Sequence, residues 1–195
     1  KIESKSLKDE VLVFGSKYEI YVWDGLKIEK IADRLEPVLT FAVYNGTLYD
    51  GRNIDDEFNK VPIHETMSGD IVAKRNGWIG DLVVYKGKLY DGGGYIPNNI
   101  YETFTGKIIG RRREEDTPSE DPVVTKFAIY KGKLYDGGGA YGKTNDEGRI
   151  YETFSGELVG ERPYWINDFS VYNGKLYDCG GGVNCSRDDN HRGRI

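Results

Sequence analysis

Short runs of apolar and aromatic residues, four or five long, recur along the whole chain and are separated by pairs of turn residues. "FAVY" and "TLYD" flank Asn45-Gly46, and "LVVY" and "KLYD" flank Lys86-Gly87. "FAIY" and "KLYD" flank Lys131-Gly132, and "FSVY" and "KLYD" flank Asn173-Gly174. Runs of this length rich in Val, Ile, Tyr and Phe read as strands, and a two-residue turn containing glycine reads as a tight hairpin. No apolar period of 3.6 residues persists for the length of a helix, so the chain is expected to be almost wholly β.

A second pattern follows each of these hairpins: "IHETMSGDIVAKR" at 63–75, "IYETFTGKIIGRR" at 100–112 and "IYETFSGELVGER" at 150–162. Ser-Gly or Thr-Gly between the two halves predicts a further two-residue hairpin. A degenerate first copy lies at 11–31, where "LVFG" stands over Leu-Tyr-Asp-Gly. Val13, Tyr49, Tyr90, Tyr135 and Tyr177 are then equivalent, and the unit recurs every 36 to 45 residues. Four short antiparallel strands at that period describe one blade of a propeller, in which radial stacking covers both faces of each sheet. An antiparallel β-solenoid is the rival arrangement.

The expectation is therefore an all-β fold, a β-propeller of four-stranded antiparallel blades, five in number. One domain covers 1–195, with units at about 1–34, 35–76, 77–113, 114–163 and 164–195. Residues 1–8 stand where a first strand belongs, and the fifth unit stops after two strands. Either the chain continues beyond this segment, as part of a larger ring, or the ring closes irregularly.

The pattern "AVYNGKLYDGGG…IYETFSGELV" resembles the kelch type of propeller repeat, in which paired glycines end one strand and a Tyr-bearing strand follows. The tryptophan of the kelch fourth strand is absent; Ile71-Val72, Ile108-Ile109 and Leu158-Val159 stand there. The resemblance implies a propeller and interaction surfaces rather than one chemistry.

On such a scaffold the connections that vary in length carry function. They are residues 52–62, 93–99, 113–121, 138–148 and 180–193, all on the face opposite the tight turns. Near the channel mouth on that face, Trp78 and Trp165 each precede an aspartate by three residues, Asp81 and Asp168. Two carboxylates beside aromatic platforms suit glycan binding or hydrolysis. The competing reading is packing, with the tryptophans wedged between blades and the aspartates capping turns. Tyr95 and Tyr141 in the variable connections complete the candidate ligand-binding set.

The recurring Asp50, Asp91, Asp136 and Asp178 are read as structural, because four copies spread over a ring cannot share one reaction centre. They are expected to satisfy donors where the second strand leaves the sheet. The glycines after them, lacking a following Lys-Ser/Thr and a helix, are not a phosphate loop. They are expected to supply positive φ and close approach between blades. The tyrosines of "LYDG" are expected in the core with their hydroxyls bonded to a neighbouring blade.

Composition narrows the rest. The net charge of −5 from interleaved signs argues against nucleic acid, and no apolar stretch is long enough for a membrane-spanning helix. Cys179, Cys185, Asp188, Asp189 and His191 crowd one loop without a zinc spacing, so no metal or cofactor is expected and the cysteines are a small disulfide or free thiols. Two glycosylation acceptor patterns, at Asn45 and Asn184, lean toward an extracellular or surface setting and leave localisation otherwise unassigned. The reading that results is a non-catalytic module binding a protein or glycan through its variable loops. A carbohydrate-active enzyme using Asp81 and Asp168, and a repeating element of a larger surface assembly, are the alternatives.

Overall fold

The computed structural model describes residues 11–16, 18–52, 60–93, 98–112, 123–139 and 148–181. They form seventeen strands and no helix. The first sheet holds β1 (Leu12–Ser16), β2 (Glu19–Trp23) and β3 (Ile28–Asp33). The second holds β4 (Val38–Tyr44), β5 (Thr47–Arg52), β6 (Lys60–Glu65) and β7 (Ile71–Asn76). The third holds β8 (Asp81–Tyr85), β9 (Lys88–Gly92), β10 (Asn98–Glu102) and β11 (Lys107–Arg112). The fourth is β12 (Lys126–Tyr130), β13 (Lys133–Gly139), β14 (Gly148–Glu152) and β15 (Leu158–Arg162), and the fifth is β16 (Ile166–Tyr172) with β17 (Lys175–Gly180). Every sheet is an antiparallel meander in chain order. The expected strand at 1–8 lies outside the described residues, as do residues 182–195 of the last unit.

Turn chemistry explains the first hairpin of each blade. Asn45-Gly46, Lys86-Gly87, Lys131-Gly132 and Asn173-Gly174 all have positive φ at both residues, the two-residue geometry that matches strand twist. Lysine is unusual there. Lys86 and Lys131 lay their ammonium groups about 5.0 and 5.1 Å from the rings of Tyr85 and Tyr130, which offsets part of the backbone cost. The second hairpin departs from expectation. Strands β6 and β7 are joined by residues 66–70 rather than by two residues, and Gly69 N–H donates to the Glu65 carbonyl at 2.9 Å. Gly106 and Gly156 repeat that bond to Glu102 and Glu152, each in the left-handed conformation. A threonine just before the Ser-Gly or Thr-Gly site is drawn into the turn because the blade interface uses it, as described below.

Successive sheets meet through their first strands, β4 against β8, β8 against β12 and β12 against β16. The core is consequently a series of layers. Tyr49, Val61, Ile63, Ile79, Leu82 and Leu89 fill one layer, and Tyr85, Tyr90, Ile100, Val124, Phe127 and Leu134 the next. Strand β5 is covered on both faces, and for that reason "LYDGR" is buried at every position instead of alternating.

The glycines after the aspartates serve close approach more than turning. A Cβ on Gly92 would stand 2.8 Å from Phe127 and Val124 of the next sheet. One on Gly137 would stand 2.5 Å from Phe169, and one on Gly51 2.6 Å from Ile79. Positive φ, which the sequence suggested for the whole run, occurs in it only at Gly93 among the described residues.

The aspartates join the blades. Arg75, at the end of β7, sends Nε and Nη2 to the two oxygens of Asp91 in the following sheet at 2.6 and 2.8 Å. Its Nη2 also donates to the carbonyl of Thr103, and Nη1 to that of Lys74. Arg34 with Asp50, Arg112 with Asp136 and Arg162 with Asp178 repeat the bidentate pair. Thr66 and Thr153 add hydroxyl donors to Asp50 and Asp136 at 2.9 and 2.8 Å. Tyr101 and Tyr151 lie under the guanidiniums of Arg75 and Arg112 at 4.4 and 4.7 Å. The Arg75 and Arg112 forks are thus each held by a carboxylate, backbone carbonyls and an aromatic face.

Aromatic contacts run in the opposite direction along the chain. Phe104 packs on Tyr44 and Tyr49 of the preceding sheet, and Phe154 on Tyr85 and Tyr90. The hydroxyls that bridge blades are not those of "LYDG" as expected. They belong to Tyr85 and Tyr130, at the ends of the first strands, which donate to the Gly132 and Gly174 carbonyls at 2.6 and 2.8 Å.

Two stability measurements check this account. Asp136→Ala leaves the Arg112 guanidinium buried without its carboxylate, and urea unfolding is expected to show a loss of about 3–5 kcal/mol. Gly92→Ala is expected to cost about 1–3 kcal/mol by overpacking. Gly181→Ala, where an added Cβ meets nothing within 4 Å, is expected to be near neutral in the same assay.

Candidate functional site

The row of residues one position before the aromatic or leucine that pairs with each recurring aspartate is Thr40, Asp81, Lys126 and Asp168. These sit on the innermost strands of four successive sheets. The Thr40 hydroxyl donates to Asp81 Oδ1 at 2.6 Å and accepts the Leu82 N–H at 3.1 Å. Asp81 Oδ2 accepts the Phe127 N–H of the next sheet at 2.9 Å, and Lys126 Nζ lies 3.6 Å from Oδ1. One carboxylate therefore ties three sheets together near the axis. A group whose two oxygens are held by strand donors cannot rotate onto a substrate without breaking the blade contact.

Asp168 is arranged differently. It is exposed at a bulge where β16 pairs with β17, and its Oδ1 accepts the N–H of Phe169 at 2.9 Å, a local cap. The structure thus places the two sequence-selected carboxylates in equivalent strand positions but gives them different work, one as an inter-sheet tie and one as an exposed cap.

The two tryptophans enter their sheets just ahead of these positions. Trp165 is buried, and its ring occupies the space a Cβ on Gly139 of the fourth sheet would need, 2.2 Å away. Trp78 is half-buried with its ring against Gly80. Tyr95 and Tyr141 lie outside the described residues, as do Cys185, Asp188, Asp189 and His191. Cys179 is an exposed free thiol.

A second cluster was not read from sequence. In the second blade two positions break the repeat together. Arg52 stands where the later units have Gly93, Gly138 and Gly180, and His64 stands where they have Tyr101 and Tyr151. In the other blades a side chain at the glycine would collide with an entering backbone: Trp78 O at 2.5 Å, Val123 O at 1.6 Å and Trp165 O at 1.4 Å from the added Cβ. At Arg52 the long side chain instead runs inward beside His64, and both residues are 7% exposed. Arg52 Nη2 lies 3.0 and 2.9 Å from the His64 ring nitrogens Nδ1 and Nε2. The signal was available: the single histidine and single arginine in an otherwise constant register.

Around them a cavity of about 420 Å³ opens in the cleft between the first and second sheets, lined by Arg34, Leu35, Arg52, Pro62, His64 and Ile71 among others. The smaller imidazole, where a tyrosine ring stacks on the arginine in later blades, accounts for the space. Among the described residues Asp50 is the carboxylate beside them and is fully buried, but both its oxygens are engaged by Arg34 and one also by Thr66. Arg52 Nε approaches Asp50 only to 4.0 Å and makes no hydrogen bond.

Electrostatics follow from this crowding. Burial, with the Arg52 charge beside it, holds His64 down at about 4, so the ring is neutral at pH 7 and can accept from Arg52. Burial also lowers Arg52, against the pull of Asp50. Desolvation pushes the Asp91 and Asp136 carboxyls upward, opposed by the Arg75 and Arg112 guanidiniums bound to them. Because the folded His64 value lies below the unfolded one of about 6.5, the unfolded chain binds a proton that the folded chain refuses between those limits. Stability is untouched by His64 at pH 7 and falls as pH drops through 6.5 toward 4. Urea unfolding at pH 7 and 4.5 is expected to show about 2 kcal/mol more acid loss in the wild type than in His64→Tyr.

The sequence matches no family model and no curated protein. Among solved structures the chain is similar to one in the Mitotic Checkpoint Complex, with a TM-score of 0.58, 16% identity, and 88% of this chain and 54% of that one covered. It is also similar to the WD40 beta propeller domain of Doa1, with a TM-score of 0.56, 14% identity, and 87% and 57% covered. The computationally designed Ika8 protein gives a TM-score of 0.55, 12% identity, and 89% and 53% covered. The chain spans little more than half the length of each. Likeness at these identities carries the fold and not a repeat type, so the kelch pattern stays a sequence resemblance, and the chain folds as β-propeller blades.

Proposed function

We propose that this chain is a non-catalytic interaction module that binds a protein partner through the face carrying its variable connections. The observation behind this reading is how the candidate acid–base groups are occupied. Asp50, Asp81, Asp91, Asp136 and Asp178 are all bound to donors from an adjoining sheet, and His64 is bound to Arg52. A constant scaffold with its polar groups engaged internally leaves recognition to the parts that differ between blades. The kelch-like repeat pattern and the WD40 domain of Doa1 among the similar structures agree with a binding role at the level of fold. On this face Trp78 and the tyrosines Tyr95 and Tyr141 supply the aromatic contact groups, while the buried Trp165 holds the connection in shape.

Affinity capture with the full chain, followed by titration of the recovered partner, tests the reading. Trp78→Ala and Tyr95→Ala are each expected to weaken binding by about thirtyfold, the size of an aromatic hot spot, under conditions where circular dichroism shows each variant folded. Undiminished binding by both variants would contradict it. So would hydrolysis of an arrayed glycan by the wild type that Asp168→Asn abolishes.

A further inference from the structure

We infer that the cleft between the first and second blades is a binding site for a small oxyanion, phosphate or carboxylate, held by Arg52 with Arg34 beside it. The inference does not depend on the partner-binding reading, because its ligand is a small ion and its test reads ion binding rather than partner capture, although Arg52 and Pro62 are the ends of the variable connection at 52–62.

Three observations converge. First, two guanidiniums, Arg34 and Arg52, line the cavity, and among the described residues Asp50 is the buried carboxylate in contact with them, with the Glu36 charge also acting on Arg52. Asp33 lines the rim, but its side chain is 72% exposed and paired with Lys30 at 3.0 Å. Second, Arg52 is more than nine-tenths buried and its Nε–H has no acceptor, although it belongs to the residues that line the cavity. A buried guanidinium with an unanswered donor is costly, and a bidentate oxyanion is the ligand that removes the cost. Third, the two residues that make the site are the two that depart from the repeat, and they touch each other. Glycine and tyrosine at these positions suffice to build the other blades, so packing alone does not call for arginine and histidine here.

The neutral His64 ring completes the arrangement. It lies against Nη2 of Arg52 and leaves the Nε–H, itself closed to solvent, without an acceptor. Leu35, Pro62 and Ile71 give the same cavity apolar walls, and its volume falls in the range of small-molecule pockets, which suits an oxyanion carried on a compact apolar body.

Titration calorimetry on the full chain at pH 7 and constant low ionic strength provides the test, with inorganic phosphate, acetate and phenyl phosphate as probes. The wild type is expected to bind at least one of them. Arg52→Gly, which restores the residue of the other blades, is expected to bind at least tenfold more weakly, and His64→Tyr, which refills the cavity, likewise. Lys107→Ala, an exposed charge on the third sheet, is expected to bind as the wild type does. Tighter binding of phenyl phosphate than of phosphate would assign the site to an oxyanion on an apolar carrier, and equal binding to the bare ion. Absence of binding of all three probes, or wild-type affinity in both Arg52→Gly and His64→Tyr, would overturn the assignment. Should Arg52→Gly fail to fold, His64→Tyr alone decides.

Discussion

An arginine at the end of an outermost strand, set against the next sheet, has to find acceptors for the N–H groups of its guanidinium. Arg34, Arg75 and Arg112 meet that demand with the same set: a carboxylate on the second strand, the carbonyl of a threonine in the turn, and the carbonyl preceding the arginine, and Arg162 repeats the first and last of these. Such pairs are weak as net stabilisers, because desolvating both ions offsets most of their attraction. Their value is in specificity. A sheet that slid or rotated against its neighbour would strand a buried charge as well as disturb the close apolar packing between sheets. The repeat therefore combines non-directional burial with one directional clip per interface.

The other regularities follow from holding sheets at the spacing the clip requires. Glycine follows the aspartate because the next blade's aromatic or aliphatic side chain occupies the place of a Cβ. The turn between third and fourth strands is wider than two residues because its threonine must present a carbonyl to the preceding blade's arginine and, in two blades, a hydroxyl to the aspartate of its own sheet. Near the axis Asp81 does for three innermost strands what the clips do farther out. Once these contacts are counted, few polar groups in the scaffold are free for chemistry, and the exceptions stand out: Asp168 on the surface and the Arg52–His64 cleft.

Much of the architecture was legible because the repeat is local. The first hairpin of each unit and the antiparallel four-strand order can be read from spacing and turn residues within one unit, whereas the second hairpin, expected to have two residues, is wider; the engagement of "LYDG" in structure followed from its being repeated. The clip itself was hidden. Arg34, Arg75, Arg112 and Arg162 recur in register after the fourth strand, but each lies 16 to 24 residues before its aspartate and in the preceding unit, so a unit-by-unit reading separates the partners. The candidate site was less legible for a related reason. Asp81 and Asp168 align, yet one faces two neighbouring sheets and the other faces solvent, a difference of environment that equal spacing does not encode. Arg52 and His64 were recoverable as paired departures from the pattern, but their contact depends on strand pairing across β5 and β6.

The claim on which this account rests is that the blades are registered by coupled arginine–aspartate clips. A double-mutant cycle on Arg75 and Asp91, with each and both replaced by alanine and stability read from urea unfolding, measures that coupling directly. The account predicts a coupling energy of about 2–3 kcal/mol, the double variant being far less destabilised than the sum of the singles. Single-variant losses that add to within about 0.5 kcal/mol would contradict it.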